Sequence, residues 1–422
     1  MLRRFFLVIL ILFFISGCAG SHKEKAAFPP APSLDLSGSK PSVPQEVSQK
    51  PVPALVLVPG DKLPAFSDDM DLASLESAME KSLQYYDRTA GNGPRRMGDA
   101  LVDVREQREA LVALKEILRG GGSEGVRKQR ILETFDVYQS TGSDGKKKVL
   151  FTGYFEPIMD GSLEKTEKFQ YPIYKSPDDA VLVNLGRFGE KYKNEQLVGR
   201  VKNGELIPYY SRREIEELGS LAGRNLEIAW VDDRINHFFL HTQGSGKIRL
   251  PDGNLLQIGY SSKNGRPFKS IGRFLLDSGK ITPQEISYQA IKRHLREHTA
   301  ELPEILGYNE SFIFFREVKE GPVGSLGVIL TSGRSIATDA AIFPKGALAF
   351  MRLRKPVLDR QGNIEAWVPF SRFVLNQDAG GMIKGPGRVD IFCGSGDDAE
   401  TIAGSFKEQG ELFFLVKKPH PE

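Results

Sequence analysis

The sequence predicts a mainly β protein with helices, of the α+β class. Three observations carry this reading. Two stretches between residues 71 and 119 repeat apolar residues at helical spacing. From Phe135 onward, short β-branched and aromatic runs alternate with Gly- and Asp-containing turns. After Phe312-Ile-Phe-Phe the chain is almost all strand and turn signal.

The N-terminus is a separate matter. Arg3 and Arg4 precede an unbroken apolar run from Phe5 to Ile15, which ends in Ile15-Ser16-Gly17-Cys18. The run is shorter than the roughly 20 residues of a spanning helix. The pattern matches a bacterial lipobox, so residues 1–18 are expected to be a lipoprotein signal peptide ending at a lipidated Cys18. An ordinary secretory signal with a chance cysteine is the alternative. Ala19, rather than Asp, follows Cys18 and resembles the default outer-membrane destination of Gram-negative lipoproteins. Residues 19–66 are rich in Pro, Ser and Ala and are expected to form a flexible tether. Such a tether spans on the order of 40 Å as a coil.

The formal charge is +3, and loss of Arg3 and Arg4 leaves +1. No basic helix or basic–aromatic repeat suggests nucleic acid. Lys146-Lys147-Lys148 follows Asp144-Gly145 and is expected to be a solvated hairpin shoulder. The chain has two cysteines. With Cys18 acylated, Cys393 has no partner for a disulfide and is expected to act as a small buried apolar residue.

The remaining residues, roughly 350, exceed one typical domain. Leu72, Leu75, Met79 and Leu83 predict a helix over Asp71 to Arg88, and Val104, Leu111, Leu114 and Leu118 a second over Leu101 to Arg119. Gly120-Gly121-Gly122 stops the second. Phe135–Gln139 and Val149–Tyr154 predict strands flanking an Asp144-Gly145 turn. Ile228–Val231 and His237–Gln243 predict further strands, and Arg249–Ile258 a hairpin turning at Asp252-Gly253. Thr282-Pro283-Gln284-Glu285 has the form of a capping box, predicting a helix to about His298.

The chemistry concentrates near the C-terminus, in Asp378-Ala-Gly-Gly-Met-Ile-Lys-Gly385 and Arg388-Val-Asp390-Ile-Phe-Cys393. Asp390 lies in an apolar strand, where alternation sets Val389 and Ile391 on one face and Asp390 on the other. A carboxyl in such surroundings favours its neutral form, the form a general acid needs. Asp339 precedes the strand-like run Gly346 to Leu353. From spacing alone, loop caps and inward edge-strand charges are the favoured account of these aspartates.

Six segments together resemble the membrane-bound lytic murein transglycosylase A family: Phe151-Thr-Gly-Tyr-Phe-Glu-Pro157, Gln170-Tyr-Pro-Ile-Tyr174, Gln243-Gly-Ser-Gly246, Gly259-Tyr-Ser-Ser-Lys-Asn-Gly265, Ser270-Ile-Gly272 and the three-aspartate region Asp339 to Asp390. Phe392 stands where relatives often carry Tyr, and Glu156 varies in the family. The resemblance implies a double-psi β-barrel domain with a helical lead-in, residues 67–155 plus 318–422. It also implies an inserted β-rich substrate-binding domain, residues 156–317, with a glycan groove between the two. The implied activity is that of a peptidoglycan lytic exotransglycosylase, a carbon–oxygen lyase that cleaves the β-1,4 bond between N-acetylmuramic acid and N-acetylglucosamine without water. It leaves 1,6-anhydromuramoyl ends. The residues themselves leave exo or endo preference open.

The same resemblance places the single acid/base at Asp390, with Asp378 in support. Gly380 and Gly381 permit close approach of sugar or chain. Lys384 is a candidate for sugar hydroxyls or for pairing with a carboxylate, and Asp339 for glycan contact or for fixing a barrel loop. Thr152 and Tyr154 are candidates for a sugar platform, with a core role as the alternative for the aromatic. Gln243 and Ser245 are candidates for bonding N-acetyl or hydroxyl groups, with ordinary turn chemistry as the alternative. No metal or organic cofactor is implied. The expected partners are peptidoglycan glycan strands and the outer membrane through the lipid anchor, with cell-wall synthesis or division proteins as further candidates and no nucleic acid.

Two other function classes compete. A non-catalytic peptidoglycan-binding lipoprotein would also present Asp390 on a groove. His294-Leu-Arg-Glu-His298 fits H-x-x-E-H, the inverted zinc-peptidase motif. Histidines packed beside Ile291 and Leu295 explain the motif without metal. A third ligand would be needed, and neither Glu365 nor Glu408 sits in a supporting motif.

Overall fold

A computed structural model describes residues 52–90 and 93–419. The apolar leader, Cys18 and the first part of the expected tether lie outside them. The last part of that tether is not a tether. Leu55–Leu57 forms strand β1, and Val58, Leu63 and Phe66 are buried. The Phe66 ring meets Phe350 and Phe373 at centroid distances of 5.0 and 5.9 Å. Pro53, Pro59 and Pro64 give this stretch a linker's composition, but its short apolar run suffices for an edge strand. Folded chain thus begins near residue 55 instead of residue 67.

Helix α1 (Leu72–Thr89) is capped by the Asp71 carboxylate, which accepts from the Ser74 N–H. A two-stranded ribbon, β2 (Arg95–Met97) and β3 (Ala100–Val102), leads to α2 (Val104–Arg119), which opens on a capping box formed by Asp103 and Glu106. Helix α3 (Glu124–Thr134), absent from the sequence reading, restarts after the glycine stop with Ser123 as its cap. Strands β4 (Phe135–Ser140) and β5 (Val149–Glu156) follow. They are not the expected hairpin. Each pairs with a different stretch of the C-terminal strand Lys407–Lys417, and the Asp144 turn only redirects the chain.

The next segment builds a second sheet. Its strands are β6 (Ile158–Ser162), β7 (Tyr171–Tyr174), β8 (Val181–Asn184), β9 (Gln196–Lys202) and β10 (Glu205–Pro208). Helix α4 (Arg212–Glu216), β11 (Glu227–Val231), α5 (Arg234–Gln243), β12 (Ser245–Arg249) and β13 (Leu255–Lys263) come next. Helices α6 (Ile271–Asp277), α7 (Tyr288–Glu297) and α8 (Leu302–Tyr308) precede β14 (Ile313–Glu317). The sheet order is β14-β13-β12-β6-β11-β7, with β10-β9-β8 as a smaller sheet.

Two expectations fail in this segment. His237–Gln243 is helical, within α5, despite its aromatic content. Asp233 accepts from the N–H groups of Ile235 and Asn236, and Gly244 ends the helix at φ 85°. Caps at both ends outweigh weak β-propensity. Thr282–Glu285 closes only a turn, with the Thr282 hydroxyl 2.6 Å from Glu285 Oε2, and α7 starts at Tyr288 under a Ser287 cap.

The C-terminal strands are β15 (Ser335–Ala337), β16 (Leu348–Leu358), β17 (Ile364–Asp378), β18 (Arg388–Ser395) and β19 (Lys407–Lys417), with α9 (Asp397–Ser405) before the last. They close with β5 into a barrel, as expected, and it has six strands in the order β5-β19-β16-β17-β15-β18 and back to β5. Val149, Phe151, Ile336, Ala349, Met351, Val374, Val389, Ile391 and Phe414 fill it. The alternate residues Leu348, Phe350, Phe373, Leu375 and Phe413 face outward and are covered by α1 and α2. Two-sided burial explains why these strands read as continuous apolar runs. Arg334, fully buried, fastens α1 to the barrel through Asp68 Oδ2 at 2.6 Å and the Asp71 and Phe373 carbonyls.

One glycine sets the height of the site strand. Helix α9 crosses β5 so closely that a Cβ on Gly153 would lie 2.7 Å from the Ala403 Cα, a backbone atom that cannot step aside. Gly153→Ala is expected to lower unfolding free energy by about 1–3 kcal/mol in denaturant titration. An unchanged midpoint would show that α9 does not press on β5.

Candidate active site

The register of the barrel brings the two C-terminal carboxylates together. Ala337 of β15 pairs with Asp390 on one side and with Asp378 on the other. At ordinary strand spacing this sets the two Cα atoms about 10 Å apart. The pairing with Asp378 depends on a register shift in which Gln377 is passed over. Gln377 instead points towards α1, where its amide donates to the Ala78 carbonyl at 2.7 Å and lies 3.0 Å from Ser82 Oγ.

On the neighbouring strand, β5 runs parallel to β18, and Thr152 and Tyr154 lie beside Asp390 and Phe392. Val389 and Ile391 face the barrel interior, so Asp390 faces out, as alternation predicts. Its side chain keeps 22 % of its surface exposed. It is not sealed beneath hydrocarbon.

The Thr152 hydroxyl donates a hydrogen bond to Asp390 Oδ1. Arg388 Nη2 lies 3.8 Å from the same oxygen and donates to Thr152 Oγ1 at 3.1 Å. Asp378 is held differently. Its Oδ1 accepts from the backbone N–H groups of Ser325 and Ala379, both at 2.8 Å, and its Oδ2 accepts from the Tyr154 hydroxyl at 2.9 Å. The Tyr154 ring leans on Phe392 at a centroid distance of 5.4 Å.

Burial pushes the Asp390 carboxyl up to about 7; Arg388 pulls it down and the Asp378 charge pushes it further up. Burial also raises Asp378, against the pull of its three hydrogen-bond donors. Burial and the adjacent Asp378 hold the Tyr154 phenol well above its ordinary range, so it stays a donor. Burial lifts the Cys393 thiol to about 12, which keeps it protonated and un-nucleophilic, in keeping with a small apolar role.

Several candidate binding residues are engaged within the protein. Asp339 is buried, and its two oxygens accept from the Ala341 and Gly385 N–H groups at 3.0 and 2.9 Å. These bonds tie the Asp339 turn to the Gly385 loop. Lys384 is exposed, with Nζ 3.9 Å from Asp339 Oδ1. Gly380 is tightly packed, since a Cβ there would lie 2.7 Å from Ile383, whereas Gly381 is open. Gln243 is engaged at the junction of α5 and β5. Its Oε1 accepts the Phe155 N–H at 3.1 Å, tying α5 to β5. Ser245 opens β12 opposite Gly259. Glu156 is fully buried at this junction, where it meets Lys247, Gln257 and Ser395. A hollow of about 600 Å³ lined by Asp160, Tyr171, Asp232 and Arg249 includes none of the three aspartates.

The zinc motif does not assemble. Helix α7 ends at Glu297, and His298 is its C-cap residue, with its N–H on the His294 carbonyl at 3.0 Å. The two rings stack at 4.1 Å, and His294 Nε2 approaches Glu301 at 3.8 Å. Among the described residues no three His, Cys, Asp or Glu side chains converge to hold a metal.

Sequence reasoning missed Arg388 and Ser325. Arg388 was legible, two residues before Asp390 and so on its face. The Ser325 contact was not, because it joins positions 53 apart in sequence.

Residues 150–316 match the MltA specific insert domain and residues 334–416 match the 3D domain. The chain is 32 % identical over 310 residues to the membrane-bound lytic murein transglycosylase A of Escherichia coli K12, covering 73 % of this chain and 75 % of that one. A membrane-bound lytic murein transglycosylase from Agrobacterium tumefaciens is 29 % identical, with a TM-score of 0.71 over 86 % of this chain and 98 % of its own. E. coli MltA with bound chitohexaose gives 28 % identity and a TM-score of 0.68 over 90 % of this chain and 100 % of its own.

Proposed function

This chain belongs to the membrane-bound lytic murein transglycosylase A family, and from that premise we propose that it cleaves peptidoglycan glycan strands with Asp390 as its single acid/base. The observation that carries the reading is a largely buried carboxyl, raised to about 7 on the outer face of the barrel, with one oxygen edge held and the other open. An acid poised near neutrality gives and regains a proton at little cost.

Asp390 gives its proton to the oxygen that bridges N-acetylmuramic acid and N-acetylglucosamine. The bond from that oxygen to C1 breaks, and its electron pair leaves with the N-acetylglucosamine hydroxyl. The muramoyl O6 hydroxyl then bonds to C1, and its proton returns to the Asp390 carboxylate. The product is a 1,6-anhydro ring, with no water consumed. An O6 held on the same sugar acts at high effective concentration.

A hydrolase would need a second carboxylate to activate water or to attack C1. Asp378 is badly placed for that task, because both of its oxygens already accept hydrogen bonds. Its role is electrostatic, through its charge on Asp390. Thr152 and Tyr154 then position the two aspartates in preference to gripping sugar, and Ser245, Gly381 and Lys384 remain the candidate glycan contacts.

The relatives' name also supports membrane attachment, which acylation of Cys18 would supply in an outer-membrane lipoprotein facing the periplasm. Among the described residues no helix is long and apolar enough to cross a membrane. Mass spectrometry of fragments released from purified sacculi tests the activity. The expected ends are anhydromuramoyl, lighter by one water than hydrolysed ends. No released fragments would favour a binding protein, and hydrated ends a hydrolase.

A further inference from the structure

We propose that Arg388 is a positioning residue for the acid: acting through Thr152, it orders the Oδ1 edge of Asp390 and so makes Oδ2 the oxygen that carries the proton. The inference rests on the transglycosylase reading above.

The geometry is a two-step relay. Arg388 Nη2 donates to Thr152 Oγ1 at 3.1 Å, which leaves the threonine proton free to point at Asp390 Oδ1. The guanidinium also stands 3.8 Å from Oδ1 directly. A hydroxyl that accepts from a cation donates more strongly to its own acceptor. Both contacts fall on Oδ1, and Oδ2 takes no hydrogen bond from the described residues. A proton on Oδ1 would collide with the Thr152 hydrogen bond, so the neutral acid carries it on Oδ2. After transfer, the charge left behind is steadied at the opposite edge.

The strand makes this arrangement rigid. Arg388 and Asp390 share a face of β18, two residues apart, and pair with Leu150 and Thr152 of β5. Gly387, just before, is packed against Ser143 so tightly that a Cβ would lie 2.1 Å from its hydroxyl oxygen. The Arg388 side chain is also held at a cost, since its Nε is buried without a hydrogen-bond partner. An orphaned buried donor costs about 1–3 kcal/mol. A simple surface strap would not need to bury it.

The groups that face Asp390 are few. Thr152 and Tyr154 come from β5, Arg388 and Cys393 from β18, and Asp378 from the end of β17; β15 contributes the uncharged Ala337. Arg388 is the cation among them, and its charge favours the ionised acid. Its removal therefore lets Asp390 keep its proton to higher pH.

The test is the pH profile of anhydromuropeptide release by wild type, Arg388→Met, Arg388→Lys and Thr152→Val. For Arg388→Met the alkaline limb is expected to move to higher pH. The plateau kcat should fall about tenfold or more, with KM within about twofold, because a transition-state contact is lost. Arg388→Lys should restore the limb but only part of kcat, since a lysine carries the charge without the planar fork. Thr152→Val is close in shape and should lower kcat and move the limb up by less than Arg388→Met does, because the carboxylate loses a hydrogen-bond donor but keeps its cation. An Arg388→Met profile with an unmoved limb and unchanged kcat overturns the proposal. So does a kcat loss in Arg388→Met with no movement of the limb, the mark of a purely structural role. If Arg388→Met does not fold, wild-type kcat in Thr152→Val overturns it. Wild type that forms no anhydro product would instead defeat the functional reading itself.

Discussion

Asp390→Asn is expected to keep the fold and glycan binding and to lose cleavage, by about 10²–10⁴-fold or more in turnover. The substitution preserves shape. Asparagine can still accept from Thr152, and Val389 and Ile391 remain in the barrel interior. What disappears is a transferable proton at a side chain that reaches solvent on the outer face. Because the same group both gives and takes a proton, its loss should abolish both halves of the reaction. Thermal unfolding should be unchanged or slightly improved, since a partly buried ionisable group has been replaced by a neutral one. Normal turnover by Asp390→Asn would remove Asp390 from the chemistry, whatever its surroundings suggest.

The second large effect is expected at Asp378. Asp378→Asn removes the like charge that helps lift Asp390. Asp390 must hold a proton to begin the reaction, so activity is full below its pKa and falls as pH rises through about 7. With the like charge gone, that fall begins at lower pH. A downward move of about one unit would cost about tenfold in activity on the alkaline side of the profile. The acidic plateau should be affected less. The limb thus moves down in Asp378→Asn and up in Arg388→Met, an opposition that general loosening of the site would not produce. A profile for Asp378→Asn with its alkaline limb unmoved would mean that the two carboxylates are not electrostatically linked.

Much of the barrel was legible because its strands are buried on both faces. Leu348 to Leu353 and Val389 to Phe392 read as strands without any knowledge of their neighbours. Alternation alone put Asp390 on the opposite face from Val389 and Ile391. The failures share a cause. His237–Gln243 carries aromatic residues that suit a strand, yet Asp233 and Gly244 cap it as a helix. Val149 follows a good turn signal, yet β5 pairs with β18 and β19, strands from the far end of the chain. The polar or aromatic ends of Thr152, Tyr154 and Gln243 suggest sugar contacts, and in the fold these ends also bond Asp390, Asp378 and the Phe155 N–H. Local pattern gives the face a residue occupies, whereas tertiary pairing decides what meets it there. The register shift that passes over Gln377 and brings Asp378 level with Ala337 has no local signature at all.

The central claim is that one carboxyl works without water, using the sugar's own hydroxyl. Digestion of sacculi in water enriched in heavy oxygen, followed by mass spectrometry of the new chain ends, tests it most directly. The account predicts anhydromuramoyl ends free of the heavy isotope. Ends that carry one heavy oxygen each would contradict it and make the enzyme a hydrolase.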